Sequence, residues 1–196
     1  MSDASLRIYA ERAGQLGQGY DAVTAEDVLA PLVPVLPEPP ASVLDVGPGT
    51  GRDLAWFAAR GHDVTAAEPV AAFHDAIRDK VPGAALIPAG LPGLEGVDGP
   101  FGLILANLVW HHVAPGDRDA GMARMAGLLA PGGRLILCLR HGQVFPDSGV
   151  WATDTDEEAA RAAAHGLREI RRAPAADRGP VGQDVTATWL TLEAPR

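Results

Sequence analysis

The sequence predicts an α/β protein: seven strands in one doubly wound sheet, mostly parallel with a C-terminal antiparallel hairpin, and helices on both faces. Three observations carry this. From residue 42 onward, apolar runs of strand length alternate with segments of helical pattern, the mark of parallel βαβ units. The first run, Val43-Leu44-Asp45-Val46, leads into glycines at alternate positions, Gly47, Gly49 and Gly51, and then into a helical DLAWFAAR. The last two apolar runs have no helix between them, so they pair as an antiparallel hairpin.

Taken in order, residues 3–13 and 24–36 read as helices, the second opened by Thr24 as N-cap with Asp27 at the box position. Four prolines between Pro34 and Pro40 mark the entry to the sheet. Strand 42–46, helix 52–60 closed by Gly61, strand 63–67, helix 70–80, strand 84–88 and strand 101–106 follow. Asp117 opens a helix to Leu129, and Pro131-Gly132-Gly133 turns the chain into strand 134–139. After a loop come helix 156–165 closed by Gly166, then strands 167–174 and 185–192. No internal repeat interrupts this plan. Residues 1–40 are expected to form a helical segment covering the site, and residues 41–196 the α/β core of a single domain.

Composition narrows the classes. A chain of 196 residues with 47% hydrophobic content is long and apolar enough to bury one core. The net charge of −9 argues against nucleic acid, which needs a clustered basic face. The densest basic group, Arg168, Arg171 and Arg172, reads as a solvated strand edge. Of 16 basic residues only Lys80 is lysine, which reads as genome composition. The one cysteine, Cys138, has no internal disulfide partner and sits in a strand, and a Cys-x-x-Cys metal site is impossible with a single cysteine. Asp3, Arg7, Glu11 and Arg12 stand where a secretory signal would be apolar, and the apolar run from Leu103 to Val109 is too short to span a bilayer. These features lead to the expectation of a soluble cytoplasmic protein, monomeric or homodimeric, with no membrane or nucleic-acid partner.

The glycine loop carries the chemistry. Glycine lets the backbone turn sharply and lets a ligand approach where a Cβ would clash, and the following helix aims its first N–H groups at that ligand. Asp45, just before the loop, repels a pyrophosphate and attracts an ammonium group. The loop therefore suits an amino-acid-like end: a carboxylate toward the helix, an amine toward Asp45. A dinucleotide fingerprint would need a third glycine where Arg52 stands, and no P-loop pattern occurs. Glu68 ends the second strand 23 residues after Asp45, placed to accept hydrogen bonds from both hydroxyls of a ribose. An amino-acid end together with a ribose describes S-adenosylmethionine.

With these residues in view, the chain resembles the class I S-adenosylmethionine-dependent methyltransferases, a Rossmann-like family. The D-x-G-x-G-x-G signature stands as Asp45-Val46-Gly47-Pro48-Gly49-Thr50-Gly51, and the family's ribose-binding acid corresponds to Glu68 in VTAAEP. FGLILANLVWHHV (101–113) is similar to the family's fourth strand, and LLAPGGRLIL (128–137) to its helix–turn–fifth-strand segment. The resemblance covers roughly residues 40 to 192 and implies S-adenosyl-L-methionine as cofactor and S-adenosyl-L-homocysteine as product. Two positions depart from the pattern. Ala89 stands where many relatives have an acid for the adenine amino group, and Gly102 where the fourth strand often opens with aspartate. Adenine recognition then falls to backbone near Gly90 and Leu91, with packing from Pro69 and Val70. Tyr20, in a Gly-flanked stretch ahead of the second helix, either covers the methionine end or is a partly buried surface aromatic. Arg52 pairs either with the cofactor carboxylate or with an acid such as Asp53 or Asp21.

The acceptor side is less determined. Asn107-Leu108-Val109-Trp110-His111-His112 leaves the fourth strand at its carboxyl end, where open α/β sheets bind ligands. Asn107 is assigned to the cofactor, and His111 or His112 is a candidate general base, with His141 past the fifth strand a rival. Each also has a purely packing reading. Methyl transfer depends mainly on alignment, so a dedicated base is not required. The loop RHGQVFPDSGVW (140–151), with Phe145 and Trp151, is the candidate substrate wall and suits an apolar or aromatic acceptor. The reading is a methyltransferase acting on a small molecule. The alternatives are a non-catalytic protein that binds S-adenosylmethionine or S-adenosylhomocysteine and acts through a partner, and a nicotinamide-dependent oxidoreductase, which Asp45 and Arg52 disfavour.

Overall fold

The structure is a computed structural model that describes residues 3–175 and 185–196; the first two residues of the expected helical segment lie outside that description. Seven strands, β1 (Ser42–Val46), β2 (Asp63–Ala67), β3 (Ala85–Ile87), β4 (Phe101–Asn107), β5 (Leu129–His141), β6 (Arg168–Pro174) and β7 (Thr186–Glu193), form one sheet in the order β3-β2-β1-β4-β5-β7-β6. The pairs β1–β2, β1–β4, β2–β3 and β4–β5 are parallel, and β7 runs antiparallel to both β5 and β6. The expected seven-stranded sheet with a terminal hairpin is thus observed. Strand order reverses between β1 and β4, which opens a crevice at the carboxyl ends of those two strands.

Alternation along the strands builds a core on each face. Leu44, Val46, Ile104, Ala106, Leu135 and Leu137 pack on one side with Met122 and Met125 of α5 (Arg118–Gly127). Val43, Leu103, Leu105, Ile136 and Cys138 pack on the other with Leu54 and Phe57 of α3 (Arg52–Ala59) and Leu29 of α2 (Ala25–Leu29). Central strands buried on both faces must read as continuous apolar runs, and these do.

Four elements differ from expectation. The first helix, α1, spans Asp3–Asp21 rather than ending at residue 13. It continues through Gly14, Gly17 and Gly19; Gly17 lies so close to the glycine loop that a Cβ there would stand 3.1 Å from Thr50 Cγ2. The helix predicted over 24–36 is an α-turn followed by a 3₁₀ segment from Ala30 to Val35, because Pro31 and Pro34 cannot donate to an α-helical ladder. The helix predicted over 70–80 splits into a 3₁₀ turn at 71–73 and α4 (His74–Lys80). Strand β5 begins at Leu129, since Phe101 pairs with Leu129 before a register shift takes up Pro131-Gly132-Gly133. The remaining helix, α6, is Thr155–Ala164. Among the described residues no helix is long and apolar enough to cross a membrane.

Candidate active site

Asp45 occupies the last turn of pleat before the crevice and is 1% exposed. Its Oδ2 has no hydrogen-bond partner among the described residues. Burial holds its carboxyl well above the usual carboxylate range, with Asp53 and Glu68 adding to the effect and Arg52 opposing it. Gly47 follows, its N–H donating to the Ala67 carbonyl at 2.8 Å, so the ladder with β2 continues into the loop. Gly47 and Gly49 have φ of 67° and 57°, a region that favours glycine. A Cβ at Gly47 would meet Val109 at 2.8 Å, and one at Gly49 would meet the Tyr20 ring at 3.2 Å. The backbone of the glycine loop therefore packs directly against the Val109 side chain and the Tyr20 ring of α1.

Glu68 is buried at the end of β2. Its Oε2 accepts from Gly49 N–H at 2.9 Å and its Oε1 from Val70 N–H at 2.8 Å. Burial pushes its pKa up to about 7 despite those two backbone donors. An ionised carboxylate offers about four acceptor positions, so roughly two remain for hydroxyl groups. Pro69 and Gly90 are in close contact nearby: a Cβ at Gly90 would stand 3.0 Å from the Pro69 ring. Ala89 and Leu91 belong to the apolar core with Leu94 and Val97.

Arg52 takes the acid-pair alternative. Its Nε and NH2 form a two-pronged pair with Asp53 at 2.7 and 3.0 Å, and NH1 donates to the Tyr20 carbonyl at 2.9 Å. Asp53 also accepts from Asn107 Nδ2 at 2.6 Å, leaving Asn107 Oδ1 buried and without a partner. Leu108 follows with φ of 57°, a strained value for a branched side chain, and this kink turns the chain from β4 into the double histidine.

Helix α1 roofs the crevice. Thr50 Oγ1 donates to Asp21 at 2.7 Å, and Lys80 Nζ donates to Asp21 at 2.8 Å and to the Thr50 carbonyl at 3.1 Å. Tyr20, in the last turn of α1 and not in a separate loop, lies over Gly49 and interacts through its hydroxyl with Tyr9. Tyr9 Oη lies 2.9 Å from His112 Nε2, and His112 Nδ1 lies 2.8 Å from the Gly149 carbonyl. A carbonyl only accepts, so Nδ1 carries the proton and Nε2 accepts from Tyr9; this tautomer is assigned from the network. The His111 and His112 ring centroids lie 4.1 Å apart at a 45° tilt, and His111 Nδ1 has no hydrogen-bond partner among the described residues. Burial lowers the pKa of both rings, far more for His111, so both are neutral at pH 7.

His141 is held elsewhere, against the α6 side of β5. Its Nδ1 lies 3.1 Å from the Thr153 carbonyl and its Nε2 3.0 Å from Thr188 Oγ1. Phe145 is exposed and pairs with Val150 at the base of the turn over 146–149, while Trp151 N–H donates to the His111 carbonyl at 2.9 Å. The structure thus gathers Asp45, Gly47, Gly49, Glu68, Asn107, Tyr20, His111 and His112 at one crevice. Gly51 stands behind them as N-cap of α3, with φ of 80°.

Three contributors escape a reading of the sequence. Tyr9 is one of only two tyrosines, both on α1, but nothing in its local pattern marks it. Asp53 stands out only as a neighbour of Arg52. Lys80, the sole lysine, fastens α1 to the glycine loop.

Comparison with known proteins bears on this site directly. A family model described as a methyltransferase domain matches residues 43–133, from the strand before the glycine loop past Glu68 and the double histidine. Over those residues the chain matches a methyltransferase domain, and its glycine signature and sheet order are those of the class I S-adenosylmethionine-dependent methyltransferases. An uncharacterized methyltransferase of Geobacillus kaustophilus is 26% identical over 160 residues, 81% of this chain and 69% of that one. An uncharacterized methyltransferase of Mycobacterium bovis is 32% identical over 103 residues, 53% of this chain, and the match spans only 41% of that protein. Among solved structures, the Burkholderia thailandensis 1,6-didemethyltoxoflavin-N1-methyltransferase, crystallised with 1,6-didemethyltoxoflavin and S-adenosylhomocysteine, superposes with a TM-score of 0.69. It is 20% identical and the match covers 100% of this chain and 92% of that one, a likeness of fold. The methyltransferase family uses S-adenosylmethionine, and the fold and glycine signature of this member are those of that cofactor's enzymes.

Proposed function

We propose that this methyltransferase acts on a small molecule held between α1 and the carboxyl ends of β4 and β5. The single observation that carries the cofactor's placement is the pair of buried acceptors, Asp45 Oδ2 and Asn107 Oδ1, at the ends of neighbouring strands. Leaving such atoms without donors costs about 1–3 kcal/mol each, more for a charged group, and an ammonium group satisfies both. In this reading Asp45 and Asn107 take the amino group of S-adenosylmethionine. The amides of the glycine loop face its carboxylate, Glu68 accepts from the ribose hydroxyls, and Pro69, Val70, Gly90 and Leu91 flank the adenine. When bound, the sulfonium supplies an electrophilic methyl group.

The chain's own residues do the rest. Helix α1 is tied to the glycine loop through Asp21, Thr50, Lys80 and Arg52, and a helix held over the loop in this way favours a small acceptor over a polymer. The charge of −9 further disfavours a nucleic acid. His111, neutral with Nδ1 unpaired among the described residues, is the group positioned to take a proton from an acceptor, whereas both ring nitrogens of His112 are engaged, by Tyr9 and by the Gly149 carbonyl. A base of strongly lowered pKa is weak, so alignment of the acceptor at about 3–3.5 Å carries most of the rate. His141 has both ring nitrogens engaged and is the less suited base. The toxoflavin-type enzyme supports a small heterocyclic or aromatic acceptor for this fold. Transfer of a labelled methyl group to small molecules, a protein mixture and RNA in parallel tests the reading. Label in the small-molecule fraction alone is expected, and label in protein or RNA alone overturns it.

A further inference from the structure

Arg140 stands at the carboxyl end of β5, on the same sheet edge as Asn107 and the double histidine. It is partly buried, and among the described residues no carboxylate pairs with it. Arg52, Arg118, Arg134 and Arg161 each have one, while the partly buried Arg124 donates to three backbone carbonyls instead and Arg171, like Arg140, pairs with no carboxylate among the described residues. Among the described residues the one hydrogen bond of Arg140 is an exposed one from NH1 to the Gln143 carbonyl at 2.5 Å, which leaves its other N–H donors open to solvent or to a ligand. Its charge is felt by Tyr9, His111 and His112, in keeping with its position at the carboxyl end of β5. Burial lowers its hold on the proton, and the Tyr9 hydroxyl opposes this only in part.

We propose that Arg140 anchors a carboxylate on the methyl acceptor, an inference that rests on the small-molecule reading above. Guanidinium and carboxylate match as a two-pronged, charge-assisted pair. A single carboxylate is favoured over a phosphate for two reasons. Only one guanidinium is available, and Asp45 and Glu68 lie at the same end of the sheet, where a second negative charge would be repelled. Val144 and Phe145, both exposed in the adjoining loop, add apolar contact. The acceptor class is therefore an apolar or aromatic carboxylic acid.

The test is calorimetric titration of the full chain with benzoate, phenylacetate and indole-3-acetate, each against its neutral amide, with phenyl phosphate alongside. Each titration is run with and without S-adenosylhomocysteine. At least one carboxylate is expected to bind about tenfold or more tighter than its amide, as loss of a charge-assisted pair implies. Arg140→Gln should erase that preference, Arg140→Lys should keep part of it, and both should bind S-adenosylhomocysteine as the wild type does. The proposal is overturned if no carboxylate outbinds its amide, if the preference survives Arg140→Gln, or if phenyl phosphate is preferred. Should Arg140→Gln not fold, the wild-type comparison and Arg140→Lys still decide. Failure of S-adenosylhomocysteine to bind the wild type would count against the cofactor assignment, while the arm without it still reads Arg140.

Discussion

Tyr9 Oη and His112 Nε2 lie 2.9 Å apart, joining the first helix to the loop that follows β4 across 103 residues of sequence. The rings also meet edge to face, with centroids 5.2 Å apart. The bond fixes the histidine tautomer, since Nδ1 must donate to the Gly149 carbonyl. Helix α1 is thereby tied to the double histidine as well as to the glycine loop.

Removing that hydroxyl should be felt in stability. Tyr9→Phe leaves a buried ring nitrogen without its donor, at a cost of about 1–3 kcal/mol. Thermal unfolding should show a melting temperature lower by roughly 2–4 °C per kcal/mol. An unchanged melting temperature would mean that water replaces the hydroxyl and that the roof is looser than described.

Glu68 sets a pH dependence of definite sign. Its folded pKa of about 7 exceeds the ordinary 4.5, so the folded protein keeps a proton that the unfolded chain has released. Its contribution is fully present below about pH 4.5 and is lost as pH rises through 7, a total on the order of 3 kcal/mol. Denaturant titrations at pH 5 and pH 8 should show this fall in the wild type and a smaller one in Glu68→Gln. Hydroxyl donors favour the ionised carboxylate, so S-adenosylhomocysteine should bind more tightly as pH rises over the same window.

The buried pair behind the acceptor loop is a third test. Arg118 bonds Glu158 at 3.1 Å, with the acid wholly buried, and also holds the Val113 and Ala152 carbonyls. Glu158→Ala strands a buried guanidinium and should cost about 3–5 kcal/mol. It should also loosen the 149–153 segment that supports His112, visible as faster hydrogen exchange there. Exchange confined to α6 would show that the two regions are uncoupled.

Gly49→Val should abolish S-adenosylhomocysteine binding while leaving a folded sheet. Its side chain would press on Tyr20 from a positive φ that branched residues avoid. Calorimetry alongside circular dichroism separates the two effects, and a folded variant that still binds would refute the loop assignment.

The sheet was legible in the sequence because buried parallel strands must be continuous apolar runs, and the runs ending at Val46, Ala67 and Ala106 are unmistakable. The glycine loop and Glu68 were legible for the same local reason: their spacing is a property of one βαβ unit. The length of α1 was not, because Gly14, Gly17 and Gly19 read as helix breakers until Gly17 is seen against Thr50. Tyr9, Lys80 and Asp53 act across long sequence separations, as in the bonds from Tyr9 to His112 and from Lys80 to Asp21, and no local pattern encodes such partners. Arg52 had two open partners, and only the fold brings it to Asp53 and the Tyr20 carbonyl together.

The cofactor assignment is tested most directly by titrating S-adenosylhomocysteine into the wild type and Glu68→Ala, with NAD as control. The wild type should bind S-adenosylhomocysteine and not NAD. Glu68→Ala, once shown to be folded, should bind about tenfold to a hundredfold more weakly, the effect of losing hydrogen bonds worth ~1.5–3 kcal/mol to a charged acceptor. Equal dissociation constants for the two proteins, or a wild type that prefers NAD, would contradict it.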